Sequence, residues 1–424
     1  MDSLEAYLLA QSDEAVLDSS GTFTMDRLKA LEKLAQFQLP GEHHWALKVV
    51  QAVVASGASQ LKILRGILGI QFVFDGGWPL EQVEAGFFNP EVGPDRSLEH
   101  LKAALWSVGY AGMRPFQYIP ARSSRSLIWN GSNLEVVSCK ESPEAQLQVS
   151  QSTLQNLKRL PLEGMEAIRA LEALAALLTE KAFFCPIPLS LEEKRIDGVR
   201  RGIPLESCHS IAFLCGSGDF PRLALPPGAE AGLPEDRQFG CCAAILGHLS
   251  NLDEMASRLF WVRDGVVVDT ELLPFSGSVS AYIFISAEGL ESDLTGFSVR
   301  GGEDRVARVF ACLASSVAGL KVNYDEPEGN SFGWVNHLGK AVMAGSVLFL
   351  GAGTVFASPL TLLMGGVVGV AGYRLRQFQP PTLESVSDSL ERGLQQLKTA
   401  WSSQLGRLDQ TRAPAVRSRR RRQG

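Results

Sequence analysis

The sequence predicts an α+β fold, in which helices on one face of a mixed sheet are followed by a second α/β region and a hydrophobic helical hairpin. Helical and strand patterns alternate through the first third of the chain, a second set of strands follows, and a long uncharged run comes near the C-terminus. A chain of 424 residues suits two or three domains. We expect the segments 1–141, 142–330, 338–376 and 377–424.

The first predicted element is an amphipathic helix over residues 26–37, DRLKALEKLAQF, because its leucines recur at helical spacing. The next helix runs from Trp45 to about Ser56. It is apolar on nearly every face and should be buried, and Gly57 fits as its C-terminal stop. Two strands follow, QLKIL and IQFVF, and the second ends at Asp75.

Three further elements complete the first layer. A helix, LEHLKAALWSV, is predicted over residues 98–108, and SLIWNGSNLEVVS predicts a hairpin that turns at Asn130-Gly131. Residues 142–181 are predicted to be largely helical, with Pro161 dividing them. Together these elements predict helices on one face of a mixed sheet.

The second region alternates strand and helix patterns. Arg263-Asp264-Gly265 is predicted to be a hairpin turn between two apolar runs. Helices are predicted in AAILGHLSNLDEMASRL and EDRVARVFACLASSVAGL, and strands in CPIPLSL, SIAFLC, FWVRDGVVVD and SAYIFISAEGL.

The run from Ala341 to Tyr373 contains no charged residue and exceeds the about 20 residues that one membrane span needs. With Pro359 near its middle, we expect a tight helical hairpin that enters the bilayer from its cytoplasmic face. The alternatives are a buried pair of glycine-rich helices in a soluble core and a self-association patch. An amphipathic helix and a basic tail follow, and the tail could touch anionic lipid headgroups.

Composition argues against several functions. The formal net charge of −6 and the pI of about 5.7 do not favour nucleic acid as a partner. The seven cysteines show no C-x-x-C spacing, so we expect reduced thiols in a cytosolic compartment. The pair His43-His44 lacks a metal-binding pattern, so no metal is expected. The N-terminus lacks the basic n-region of a secretory signal.

The order of elements around Asp75 is informative. A buried helix ends in Ser-Gly-Ala, a strand follows, and the next strand ends in Asp-Gly-Gly. This order resembles the ATP-binding domain of the GHKL superfamily, which includes DNA gyrase, MutL, sensor histidine kinases and HtpG-type chaperones. Farther along, WVRDGVVVD and SAEGLESDLTGF resemble the middle region of its chaperone-like members. The resemblance is one of order and spacing, and it covers residues 25–320.

The first family motif places a general-base glutamate, a magnesium-binding asparagine and an aspartate on the buried helix. The matching positions here are Lys48, Ala52 and Ala55, and only Gly57 and Ala58 agree with the family. A protonated lysine cannot accept a proton, and alanine cannot ligate a metal. The resemblance therefore implies a pseudo-ATPase with no catalytic residue and no metal.

The second motif is half present. The resemblance assigns Asp75 to the aspartate that binds the adenine amino group and Gly77 to its partner glycine, whereas Trp78-Pro79 departs from the family. Asp75 has an equally supported interpretation, which is an Asx-turn at the end of a strand. The two interpretations stay open at this point.

The third motif, a glycine-rich lid, has lost its phosphate-binding glycines. In RSLEHLKAALWSVGYAGM, Gly109 and Gly112 follow the helix instead of preceding it. Lys48 could contact a phosphate, but a lysine whose stem lies on the core and whose head reaches solvent is favoured. We therefore expect no cofactor, and the alternative is ATP or ADP bound without magnesium at Lys48, Asp75 and Gly77.

The expected function is a non-catalytic, chaperone-like or scaffolding interaction protein, derived from a GHKL ATPase and attached to a membrane. Its expected partners are proteins or clients and, through residues 341–373, the membrane. No nucleic acid is expected, and the oligomeric state is open. The alternative is a nucleotide-binding or ATP-hydrolysing HtpG-like chaperone, and a third interpretation is a structural, membrane-tethered protein without a ligand.

Overall fold

The structure, a computed structural model, contains an eight-stranded mixed sheet covered by helices and a second sheet of five strands. Both parallel and antiparallel pairs occur in the large sheet, so the prediction of an α+β fold with a mixed sheet is confirmed. The structure describes residues 39–66, 69–89, 93–112, 114–150, 160–202, 208–216, 221–227, 238–239, 241–248, 257–273, 279–302 and 304–312, with 388, 392, 395, 396 and 399.

The large sheet has the strand order β5-β4-β3-β6-β2-β1-β7-β8. Its pairs are antiparallel except for β1 and β7, which run parallel. The strands are β1 (Leu61–Arg65), β2 (Gly69–Phe74), β3 (Phe116–Ile119), β4 (Arg125–Trp129), β5 (Leu134–Ser138), β6 (Ala145–Ser150), β7 (Leu189–Leu191) and β8 (Lys194–Arg195).

Helices cover one face of this sheet. Burial alternates along β1 and β6, as expected where only one face meets the core. Trp45 of the first helix packs edge-on against Phe72 of β2, with ring centroids 5.8 Å apart. The helices are α1 (His44–Ala55), α2 (Leu80–Phe88), α3 (Arg96–Trp106) and α4 (Leu160–Lys181).

The second sheet has the order β14-β13-β15-β12-β9, and only β13 and β15 run parallel. Phe184, which follows α4, stacks on Phe284 of this sheet at 4.7 Å and joins the two regions. The strands are β9 (Cys208–Gly216), β12 (Cys241–His248), β13 (Arg258–Arg263), β14 (Val266–Leu272) and β15 (Val279–Ser286), and a small sheet pairs β10 (Leu223–Ala224) with β11 (Gln238–Phe239).

Several predicted elements are confirmed. The buried helix is α1, in which every residue from Trp45 to Val53 is buried. Gly57 follows it at φ +80°, as a C-terminal stop requires. The structure also contains the two predicted strands, β1 and β2, the second of which ends just before Asp75. The hairpin of β4 and β5 and the hairpin turn at Asp264 are present as well.

The helical prediction for residues 142–181 is wrong in its first part. Residues 145–150 form β6, which lies between β2 and β3 at the centre of the sheet. Ala145, Leu147 and Val149 are buried at every second position, and this period of two overrides the helical preference of alanine and glutamine. Pro161 lies in the first turn of α4, where its missing N–H costs no hydrogen bond, so it does not divide the helix.

Two other predictions need correction. The boundary predicted at residue 141 cuts the large sheet, because β6, β7 and β8 all come after it. The helix predicted for AAILGHLSNLDEMASRL is wrong over β12, where the apolar run forms a strand between β9 and β15. Short apolar runs fit a buried strand as well as a buried helix, so periodicity alone does not separate them. Helix α2 and strand β3 were not predicted.

Some predictions fall on other parts of the chain. The helix at 26–37, the hairpin at 338–376 and most of 377–424 lie outside the described residues. None of the helices in the described ranges has the length and apolar character needed to cross a membrane.

Candidate functional site

The three positions of the first motif lie on α1. Ala52 is fully buried in the core and Ala55 is half-buried near the end of the helix. Lys48 is only 6% exposed. The expectation that its head reaches solvent is therefore wrong. At the three motif positions, the helix therefore presents an amine and two methyl groups, and neither a carboxylate nor an amide.

The ammonium group of Lys48 lies beneath a tight turn at residues 293–298. Its Nζ is 4.6 Å from the centre of the Phe297 ring, in a cation–π arrangement. Gly296 has φ +71°, which favours glycine, and a Cβ added there would come within 2.9 Å of Nζ and displace the lysine head. Asp293 holds the turn by accepting hydrogen bonds from Thr295 Oγ1 and the backbone N–H of Phe297. The turn thus closes over the lysine.

Burial, and to a smaller extent the positive charge of Arg263, lowers the pKa of Lys48 to about 8. Asp264 and Asp293 oppose this shift. Lys48 therefore stays mostly protonated at pH 7 and remains unsuited to accept a proton.

Asp75 uses its carboxylate locally. Its Oδ1 accepts hydrogen bonds from the backbone N–H of Ser59 at 2.8 Å and of Gln60 at 3.1 Å. Its Oδ2 accepts one from Ser59 Oγ at 2.6 Å. Burial raises the pKa of Asp75, but these bonds outweigh it and hold the pKa below the ordinary value. The carboxylate joins the end of β2 to the start of β1.

Aromatic side chains surround the residues that follow Asp75, where the resemblance places the adenine ring. Gly77 has φ +102°, and a Cβ there would meet Tyr118 Oη at 2.9 Å. The Tyr118 hydroxyl donates to the Trp78 carbonyl at 2.7 Å and accepts from the Trp78 N–H at 2.8 Å. The indole Nε1 of Trp78 donates to Ser97 Oγ at 2.9 Å. Aromatic rings therefore pack against the glycine that the resemblance places beside adenine.

The N-terminus of α3 is also satisfied from within the chain. Asp95 accepts hydrogen bonds from the backbone N–H of Ser97 at 2.9 Å and of Leu98 at 3.3 Å. These are the donors that a helix would offer to a phosphate. A carboxylate already occupies them.

Polar side chains join α3 to the turn between β13 and β14. Asp264 sits in this turn with its side chain 7% exposed and with φ +48°. Its carboxylate accepts from Arg96 through both Nε and Nη2, and it lies 3.0 Å from His100 Nε2. We call Arg96, His100 and Asp264 the inter-sheet clamp.

Further hydrogen bonds extend the contact between the first helical layer and the second sheet. The buried amide of Gln51 on α1 donates from Nε2 to the Arg263 carbonyl at 3.2 Å. Arg96 Nη1 donates to Glu288 Oε1 at 2.8 Å. The Arg263 guanidinium binds the carbonyls of Ala287 and Leu290 after β15. Helices of the first layer thus hold the hairpin tip and the loop beyond β15.

The clamp is electrostatically matched. Burial raises the pKa of Asp264, but the hydrogen bonds from His100 and Arg96 outweigh burial and lower it. Burial also lowers the pKa of His100, while its bond to Asp264 opposes this. His100 is therefore neutral at pH 7, and its Nε2–H donates to the Asp264 carboxylate.

Sequence reasoning missed the clamp, because Asp264 has the pattern of an ordinary hairpin turn and His100 has no motif. Lys48 lies near the clamp, since Asp264 and His100 both interact with its charge. Asp75 and Gly77 lie apart from the clamp, where Asp75 bonds to Ser59 and Gly77 packs beside Tyr118. Within the described ranges, no group of three or more His, Cys, Asp or Glu side chains is placed to hold a metal ion.

Comparisons with known proteins place no name on this site. No family model and no curated protein matches the sequence. One similar solved structure is the N-terminal domain of a DNA repair protein, with 12% sequence identity and a TM-score of 0.36. The match covers 68% of this chain and 96% of that chain. Similarity at this level assigns neither a function nor a ligand.

Proposed function

We propose that this chain is a non-catalytic, chaperone-like or scaffolding interaction protein derived from a GHKL ATPase. In this proposal, contacts within the chain replace those that a nucleotide makes in an active member of that superfamily. The observation that carries the proposal is the burial of Lys48 beneath Phe297, at the position where the resemblance requires a general base.

Each of the other motif positions supports the same proposal. Ala52 is buried without a metal-ligating atom, and Asp75 is engaged by Ser59 and Gln60. Asp95 occupies the backbone donors at the start of α3. Phosphoryl transfer needs a positioned water and charge stabilisation by a metal or its equivalent. The side chains at these positions supply neither.

The clamp supports a constitutive arrangement of the two sheet regions. Asp264 binds Arg96 and His100 directly, so side chains of the protein itself supply the contact between α3 and the β13–β14 turn. A protein fixed in this way would present a constant surface to its partners. That behaviour suits a scaffold better than a machine that cycles.

The test is calorimetric titration of ATP and ADP into the full chain, with and without magnesium, together with an assay for phosphate release. We expect no heat of nucleotide binding and no turnover in a protein that circular dichroism shows to be folded. Magnesium-dependent turnover that Asp75→Asn abolishes would instead establish the ATP-hydrolysing chaperone. Binding without turnover, again lost in Asp75→Asn, would establish a nucleotide sensor.

Membrane attachment through residues 341–373 is part of the proposal, and the uncharged run is what supports it. Cells that express the full chain, or a version ending at Leu338, can be fractionated. We expect the full chain with the membranes and the shorter version in the supernatant. If both versions are found in the supernatant, the attachment is wrong.

A further inference from the structure

Two cysteines occupy opposite positions on neighbouring strands of the second sheet. Strands β9 and β12 run antiparallel, and Cys215 of β9 is in register with Cys242 of β12. The register shift between these strands comes at the opposite end of β12, after Gly247. Among the strand pairs that the structure describes, no other brings two cysteines into register.

The backbone of an antiparallel pair fixes how far apart two opposite residues lie. Their Cα atoms are separated by about 4.5 Å or about 5.5 Å, depending on whether the pair exchanges hydrogen bonds. A disulfide joins residues whose Cα atoms are about 4.4–6.8 Å apart. Opposite residues also share one face of the sheet. The register of Cys215 and Cys242 therefore meets the backbone requirement for a disulfide.

The neighbouring Cys241 provides an internal comparison. Successive residues of a strand lie on opposite faces, so Cys241 does not share the face of Cys242 and Cys215. Its partners in register are Gly216 on β9 and Ile285 on β15. The sheet thus selects Cys242, and not the cysteine beside it in the sequence, as the partner of Cys215.

The pair lies at one end of the sheet order, where β9 follows β12 as the last strand. In the chain, β10 and β11 come between the two cysteines. A bond between Cys215 and Cys242 would close this part of the chain into a loop. It would also tie the last strand of the sheet to its neighbour and restrict the unfolded chain.

We propose that Cys215 and Cys242 form a reversible disulfide by exchange with a small disulfide such as glutathione disulfide. The thiolate of one cysteine attacks glutathione disulfide, which gives a mixed disulfide and releases one glutathione. The thiolate of the other cysteine then attacks the protein sulfur of the mixed disulfide and releases the second glutathione. Two protein thiols are oxidised, glutathione disulfide is reduced to two thiols, and the protons pass to the released thiolates.

The surroundings decide which form is present. In a cytosolic compartment, where thiols are kept reduced, both cysteines stay as thiols. A rise in glutathione disulfide favours the bonded form. The modification does not depend on the proposed scaffold function, because it rests on the register of β9 and β12 alone.

The experiment is incubation of the full chain with glutathione disulfide, followed by blocking of the remaining thiols in acid, digestion without reductant and mass spectrometry. We expect a linked pair of peptides that contain Cys215 and Cys242 and that separate on treatment with dithiothreitol. Cys241 and Cys242 are adjacent and fall in one peptide, so two variants decide between them. Cys242→Ser should lose the linked pair, and Cys241→Ser, the matched control, should keep it.

The proposal is overturned if the folded chain gives no linked pair, or if Cys242→Ser keeps the pair that Cys241→Ser loses. Should Cys242→Ser fail to fold, Cys215→Ser tests the same bond from the other strand and should also lose the pair. A linkage that appears only in a covalent dimer on a non-reducing gel would equally reject a bond within one chain.

Discussion

Two aspartates begin glycine turns at the ends of apolar strands, Asp75 after β2 and Asp264 after β13. Asp75 is partly exposed and receives hydrogen bonds from Ser59 and Gln60, which lie between α1 and β1. The side chain of Asp264 is 7% exposed and binds Arg96 and His100, more than 160 residues away in the sequence. The same local pattern therefore closes a turn in one place and joins two sheets in the other.

The difference lies in what faces each turn. The segment before β1 meets Asp75 with the backbone N–H groups of Ser59 and Gln60 and with the Ser59 hydroxyl. Helix α3 meets Asp264 with two basic side chains one helical turn apart, Arg96 and His100. The resemblance gives Asp75 a ligand-binding interpretation beside that of an Asx-turn, yet the charged side chains are concentrated at Asp264.

The largest expected effect is in Asp264→Asn. Asparagine keeps the shape and tolerates the positive φ, but it removes the negative charge that Arg96 and His100 share and leaves Arg96 with Glu288. Loss of one partner from a buried ion pair costs about 3 kcal/mol, the lower part of the usual range, because Arg96 is partly exposed. Urea unfolding of the full chain measures this change.

A double-mutant cycle sharpens that prediction. Arg96→Gln, Asp264→Asn and the double variant should give a coupling energy of about 1–3 kcal/mol. Additive single effects would show that the two side chains do not act together. The clamp would then be an incidental surface contact.

Lys48→Met is expected to stabilise the protein by about 1–3 kcal/mol at pH 7. The folded-state pKa of about 8 lies below the ordinary lysine value of 10.5, so folding disfavours the charged amine. The gain is limited because the cation–π contact with Phe297 is lost. Lys62→Met, at a lysine 46% exposed, is the control and should change stability by less than about 0.5 kcal/mol.

The pH dependence of Lys48 has a definite sign. Between pH 8 and 10.5 the unfolded chain binds a proton that the folded chain has released, so stability rises with pH in this window. Lys48→Met should remove this rise. A destabilised Lys48→Met would mean that the ammonium gains more from Asp264 and Asp293 than it loses on burial.

Asp75→Ala is expected to cost about 1 kcal/mol, comparable to the loss of a helix cap, because the lost bonds are local. The strand connection should keep its structure, and Asp264 should keep its coupling to Arg96. Urea unfolding measures the cost beside Asp264→Asn. If Asp75→Ala is the more destabilising of the two, the contrast between the turns is wrong.

Local patterns explain which parts of the fold were predictable. Helix α1, the strands that end at Asp75 and the turn at Asp264 each follow from residues close together in the sequence. Strands β6 and β12 were not predicted from such local patterns. Their extended conformation depends on pairing with neighbouring strands more than on the intrinsic preferences of their residues. The clamp required the pairing of residues such as Arg96 and Asp264, and no spacing in the chain reveals that pairing.

The smallest expected effect concerns His100 and acid. Burial lowers the pKa of His100 below 6.5 in the folded chain, and the charges of Lys48 and Arg96 add to this against the opposing effect of Asp264. As the pH falls below 6.5, the unfolded chain takes up a proton that folded His100 does not, so stability decreases. His100→Gln should reduce this decrease, while His43 and His44 contribute equally in both proteins.

Asp75 provides the contrast, because its pKa lies below 3.8 and its turn should not respond in this range. An unchanged slope in His100→Gln would show that acid does not act through the clamp, and the two aspartates would then differ in burial but not in their sensitivity to pH.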